Sequence, residues 1–167
     1  MRTIIIGLGN PILGDDGVGW RVAERIQQDL NNPQSVEVDC FSLGGLSLME
    51  HLTGYQRVIL IDAIFTGQKP IGTVTTFPLS ELPNLSAGHS TAAHDTSLRT
   101  ALDVGRSMDI PLPEDDQVTI VAIEAENVYD FSEKLSPPVE AAVPLAVAKV
   151  LELLNKKNSQ GERYDFP

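Results

Sequence analysis

The chain has 167 residues and a formal net charge of −11, with 12 basic residues against 23 acidic ones and 42% hydrophobic residues. That length fits one domain whose core is large enough to fold without staples, and the single cysteine, Cys40, excludes an internal disulfide and any need for an oxidising compartment. A polynucleotide partner is disfavoured, because such binding draws most of its affinity from Lys and Arg displacing phosphate counterions and no basic run is present.

The first apolar run, Ile4–Ile6 with its flanks, ends at Gly7 and Gly9 and reads as a central parallel strand. It opens the chain without a signal-peptide pattern, and no apolar run approaches the ~20 residues of a membrane span. The expectation is therefore a cytoplasmic protein with no membrane contact. Val18, Val22, Ile26 and Leu30 then recur at four-residue intervals and define one apolar face of a helix. Asp15 and Asp16 stand just before it, where either can cap its positive end.

Val36–Phe41 is a second strand, followed by Gly44-Gly45 and a short helix carrying Leu46, Leu48, Met49 and Leu52. Arg57-Val-Ile-Leu-Ile-Asp62 is the clearest strand, four apolar residues ending on a carboxylate. Thr73–Phe77 has strand composition, and the link from the third strand holds no helix, which predicts an antiparallel fourth strand. Pro78–Ala92 is long, irregular and rich in Ser, Thr, Gly and Pro, and it contains His89. A helix is predicted from about Ala93, with His94 in its first turn and Leu98, Ala101, Leu102 and Gly105 on one side. Val118–Ile123 is a fifth strand, Glu124–Ser136 an acidic loop, and Pro137–Asn155 a last helix. Residues 1–155 form one domain in this reading and 156–167 a polar tail.

Alternation of strands and helices predicts a three-layer α/β/α sandwich around a mostly parallel five-stranded sheet with one antiparallel strand. Right-handed crossovers favour the second and third strands on either side of the first. Asp16 and Asp62 then meet at the carboxyl edge of two neighbouring strands, and His94 can return to the same edge. Two carboxylates and an imidazole suit a borderline divalent cation such as zinc or nickel, and three protein ligands leave positions free for reaction. Each residue also has a plainer explanation. Asp15 and Asp16 can be helix caps, Asp62 can accept loop N–H groups, and His94 can be an ordinary first-turn residue. His51, among Leu48, Met49 and Leu52, reads as a partly exposed helix position, and His89 as a solvent-facing loop residue. Cys40 has no cationic neighbour in sequence and reads as a small core residue.

Two nucleotide-related motifs fail. The third glycine of the dinucleotide fingerprint is replaced by Ile12. The GLGNP start is similar to that of peptidyl-tRNA hydrolases, but the segment around Gly14–Gly17 lacks the histidine those enzymes use.

Taken together, GLGNPILGDDGVG, the strand ending VILIDA, the HDTSL helix start and the LSPPVEAAVP segment resemble the hydrogenase maturation endopeptidases, from Met1 to about Leu154. The resemblance implies removal of a C-terminal extension from the large-subunit precursor of a nickel–iron hydrogenase after nickel insertion. It also implies that the nickel-contacting positions are Asp16, Asp62 and His94, with the metal arriving in the precursor and zinc or cadmium as substitutes. A monomeric enzyme is expected. The alternatives are a self-contained metallohydrolase with its own zinc and a non-cleaving, metal-dependent hydrogenase chaperone. One departure concerns substrate subgroup: many relatives carry an Asp-Gly-Gly-Thr-like turn after the second strand, where this chain has Cys40-Phe41-Ser42-Leu43 before Gly44-Gly45.

Overall fold

A computed structural model describes residues 1–30, 35–81 and 90–156, with 90–97 described by backbone alone. Its strands are β1 (Thr3–Leu8), β2 (Val36–Phe41), β3 (Arg57–Ile64), β4 (Val74–Pro78) and β5 (Val118–Glu124). Its α-helices are α1 (Val18–Asp29), α2 (Gly45–His51), α3 (Ser90–Ser107) and α4 (Pro137–Lys156). The sheet order is β2-β1-β3-β5-β4, with β1 hydrogen-bonded to both β2 and β3 in parallel, as the crossover rule predicts. β4 is antiparallel, and its partner is β5, which inserts between it and β3.

Period-two alternation sorts the strand residues onto two cores. Ile5, Ile59, Ile61, Val121 and Ile123 face one layer, where they pack with Val22 and Ile26 of α1 and Val139, Ala146 and Val150 of α4. Ile4, Ile6, Val58, Leu60 and Ile120 face the other, with Leu48 and Met49 of α2 and Leu98 and Leu102 of α3. Helices thus cover both faces of a mostly parallel sheet, which is the three-layer sandwich.

Several boundaries differ from the sequence reading, each for a tertiary reason. β3 continues two residues past Asp62, because Ala63 and Ile64 still pair with Ile123 and Glu124 of β5 after the ladder with β1 has ended at Gly7 and Ile61. Glu124 closes β5 by the same pairing instead of opening a loop. α3 begins at Ser90, so His94 is its fifth residue and lies beyond the first turn. Lys156 ends α4, and the rest of the expected tail, 157–167, lies outside the described residues.

The start of α1 sits directly on the sheet. A Cβ on Gly19 would lie 2.3 Å from the Leu8 carbonyl oxygen and 2.4 Å from that of Ile61. Only a residue without a side chain lets the helix approach β1 and β3 this closely, and the turn before it is held at their carboxyl ends.

Candidate active site

The chain moves from β1 outward to β2 and then crosses back to β3 on the other side of β1. The β1–β3 junction is therefore the point where strand order reverses, and open α/β sheets bind ligands in the crevice at such a point. Both predicted carboxylates are found there.

Asp16 lies in a single 3-10 turn, Gly14–Gly17, between β1 and α1, and this turn packs against β3. Its Oδ2 accepts the Asn10 backbone N–H at 2.7 Å, and its own N–H donates to the Leu13 carbonyl at 3.1 Å. The turn needs Gly9, which has a φ of +118° and whose missing Cβ would lie 1.9 Å from the Asp16 carbonyl oxygen. Asp16 is half-buried. Asp62 is 4% exposed, and its Oδ1 accepts the Ala63 N–H at 2.8 Å. By alternation it shares a sheet face with Val58 and Leu60, the face that α3 covers. The side chain of His94 lies outside the described residues; its position in α3 puts it in the layer over Asp62's face. His89 is outside them as well. Among the described residues, no group of three His, Cys, Asp or Glu side chains is placed to hold a metal ion.

Each carboxylate is oriented by a backbone N–H, as carboxylates that ligate metals commonly are. The turn after β2, where the sequence departs from many relatives, borders the same place. Ser42 Oγ donates to the Gly9 carbonyl at 2.7 Å, and the Gly9 N–H donates to the Phe41 carbonyl at 3.2 Å. Beyond it, the loop between β5 and α4 carries Tyr129 and Phe131, which are 62% and 87% exposed, beside the 47% exposed Ile12 of the β1 turn.

Asp15 does not cap α1, whose N-terminus has no side-chain cap. It is wholly buried, and its carboxylate turns away to accept bonds from Ser136 and Asn127 in the β5–α4 loop. Sequence reasoning also missed Glu124. Buried at the end of β5, it accepts the Thr66 and Gly67 N–H groups at 2.7 and 3.0 Å and the Thr66 hydroxyl at 2.9 Å, which fixes the β3–β4 loop. The available signal was a charge ending the apolar run Val118–Ile123.

His51 is exposed at the end of α2, where its Nδ1 donates to the Ser47 carbonyl at 2.9 Å and its ring lies 4.3 Å from that of Phe41. Cys40 is half-buried; burial, reinforced by Glu24 and Asp39, pushes its thiol up to about 11, so it is no nucleophile near neutral pH.

Residues 20–153 match the family model described as hydrogenase maturation protease. The chain is 27% identical to the hydrogenase 2 maturation protease of Escherichia coli K12, over 93% of this chain and 92% of that protein. It is 29% identical to the hydrogenase expression/formation protein HoxM of Cupriavidus necator, over 92% of this chain and 74% of that one. Its fold superposes on the hydrogenase maturating endopeptidase HybD of E. coli with a TM-score of 0.77 at 27% identity, covering 94% of each chain. HybD of Thermococcus kodakarensis, a [NiFe] hydrogenase maturation protease, superposes with a TM-score of 0.70 at 27% identity, covering 92% of this chain and 99% of that one.

Proposed function

This chain belongs to the hydrogenase maturation proteases, and we propose that it cuts the C-terminal extension from the large-subunit precursor of a nickel–iron hydrogenase once nickel is in place. What supports this reading is the family match over residues 20–153, together with an Asp16 turn that packs on β3 beside the β1–β3 switch point and a carboxylate, Asp62, near the end of β3, each bonded to a backbone N–H.

In this reading the nickel belongs to the substrate. Asp16, Asp62 and His94 would hold it, and when seated there it supplies Lewis acidity toward the scissile carbonyl or toward water. Zinc or cadmium can stand in for nickel on the same donors. The protein's own contribution is position. The Asn10 N–H aims Asp16, the Ala63 N–H aims Asp62, and the rigid ends of β1 and β3 keep both at one edge. Ile12, Tyr129 and Phe131 give that edge exposed apolar surface suited to a polypeptide partner. No helix among the described residues is long and apolar enough to cross a membrane. In this reading the enzyme acts on its precursor as a cytoplasmic monomer.

The test is incubation with nickel-loaded and nickel-free precursor, read by mass spectrometry of the precursor C-terminus. Cleavage of the loaded form alone is expected, and Asp16→Ala and Asp62→Ala should each lower the rate by at least 100-fold. Equal cleavage of both forms would sink the nickel requirement. An uncut C-terminus with stable complex formation would indicate a chaperone. Stoichiometric zinc in the purified protein would indicate a self-contained metallohydrolase.

A further inference from the structure

The most deeply buried acidic group near the crevice is one that the proposed chemistry leaves unused. Asp15 is 0% exposed, yet its carboxylate points away from the β1–β3 crevice and into the β5–α4 loop. Oδ1 accepts the Ser136 N–H at 2.6 Å. Oδ2 accepts the Ser136 hydroxyl at 2.8 Å and the Asn127 N–H at 3.4 Å. Ser136 immediately precedes α4, and its carbonyl accepts the Glu140 N–H at 2.9 Å. Pro137 and Pro138 have no N–H to offer, and the Ser136 N–H and hydroxyl are the donors that this helix start presents to Asp15.

The backbone runs a seam along the same contact. The Asp15 N–H donates to the Asn127 carbonyl at 2.8 Å, the Gly14 N–H to the Ser132 carbonyl at 2.7 Å, and the Ser132 N–H to the Ile12 carbonyl at 3.0 Å. Leu13 and Ser132 thereby form an isolated parallel bridge. One residue later the chain delivers Asp16, whose carboxylate takes the Asn10 N–H. Adjacent carboxylates in one 3-10 turn therefore face two different structures.

We propose that Asp15 is a positioning residue: it locks the β5–α4 loop and the start of α4 against the turn, and so fixes where Asp16 stands in the crevice. The proposal rests on the maturation-protease reading for its catalytic consequence, but the mechanical coupling can be measured without it. Removal of the Asp15 carboxylate leaves the Ser136 donors unpaired in a part-buried place, and the turn relaxes to satisfy them. Asp16 moves with it, and small displacements of a positioned group cost large factors in rate.

The experiment compares wild type with Asp15→Ala, Asp15→Asn and Ser136→Ala. Cleavage of nickel-loaded precursor is measured alongside amide hydrogen exchange followed by NMR. Asp15→Ala should lower kcat by about 10- to 100-fold with KM within about threefold. Asp15→Asn should recover most of that loss, because its amide oxygen can accept the Ser136 N–H while its NH2 donates to the Ser136 hydroxyl. Ser136→Ala, which keeps the N–H bond, should show a smaller loss. In Asp15→Ala, exchange should quicken at Asn10, Gly14, Ser132 and the amide of position 15, while the β3 and β5 amides keep wild-type protection. Wild-type exchange at Asn10 with wild-type kcat overturns the proposal, and so does an exchange increase spread evenly over the sheet. If Asp15→Ala does not fold, Ser136→Ala decides by the same two readouts. Failure of wild type to cut any precursor refutes the protease reading, and the Asn10 exchange then decides the coupling alone.

Discussion

At the scale of single residues, two adjacent aspartates have opposite fates because of where their side chains find partners. Asp16 takes the Asn10 N–H at the crevice, and Asp15 is consumed by Ser136. Cys40 illustrates how environment decides reactivity. Its folded thiol, at about 11, lies above the unfolded value of 9.0, so the protonated form is favoured by folding. This contribution is complete below pH 9 and is lost as pH rises from 9 to about 11. Native protein should therefore alkylate far more slowly at pH 8 than urea-unfolded protein, and the alkaline loss of stability should shrink in Cys40→Ala. Iodoacetamide labelling followed by mass spectrometry checks the first point. Equal native and unfolded rates would contradict the assigned environment.

At the scale of elements, the site is an accident of how α1 meets the sheet. Gly19 lets the first turn of α1 rest on the Leu8 and Ile61 carbonyls, and the Asp16 turn is the lead-in to that helix. Gly19→Ala adds helix propensity but drives a methyl into two backbone oxygens. Overpacking should win, at about 1–3 kcal/mol of stability. Precursor cleavage should fall along with the melting temperature, because the lifted helix carries Asp16 with it. A variant as stable and active as wild type would show that α1 does not set the turn's height. Strand and helix types were readable from periodicity, since buried strands and amphipathic helices write different repeats. The end of β3 was not, because Ala63 and Ile64 are held by β5, more than 50 positions away in the chain.

At the scale of the whole molecule, the sheet is the shared floor of both cores, and stability and chemistry are separable along β3. Leu60 is fully buried against α2 and α3, while Asp62 lies two residues further on, at the crevice. Leu60→Ala should cost about 2–5 kcal/mol through lost burial and the cavity left behind. That corresponds to several degrees in the melting temperature at ~2–4 °C per kcal/mol for a chain of this size. Asp62→Ala should cost clearly less, since a carboxylate at the crevice contributes little to the packing of either core, yet it should abolish cleavage. Thermal unfolding by circular dichroism distinguishes the two, and equal losses would mark Asp62 as a structural residue.

The sequence by itself determined the layer architecture, the strand order around β1, the antiparallel fourth strand and the family. Each follows from local patterns, hydrophobic period, turn residues and crossover handedness, or from a motif written in consecutive letters. Asp62 could be nominated in the same way, as a carboxylate ending an apolar strand, and Asp16 as one of a pair between the first strand and its helix. Only the tertiary structure decided what Asp15 and Glu124 bind, and how far β3 and β5 run. Those outcomes depend on hydrogen-bond partners such as Ser136 and Thr66, which lie more than 50 residues away in sequence and are brought near only when the sheet closes. A buried carboxylate goes where N–H groups are available, and no local pattern records where those will be.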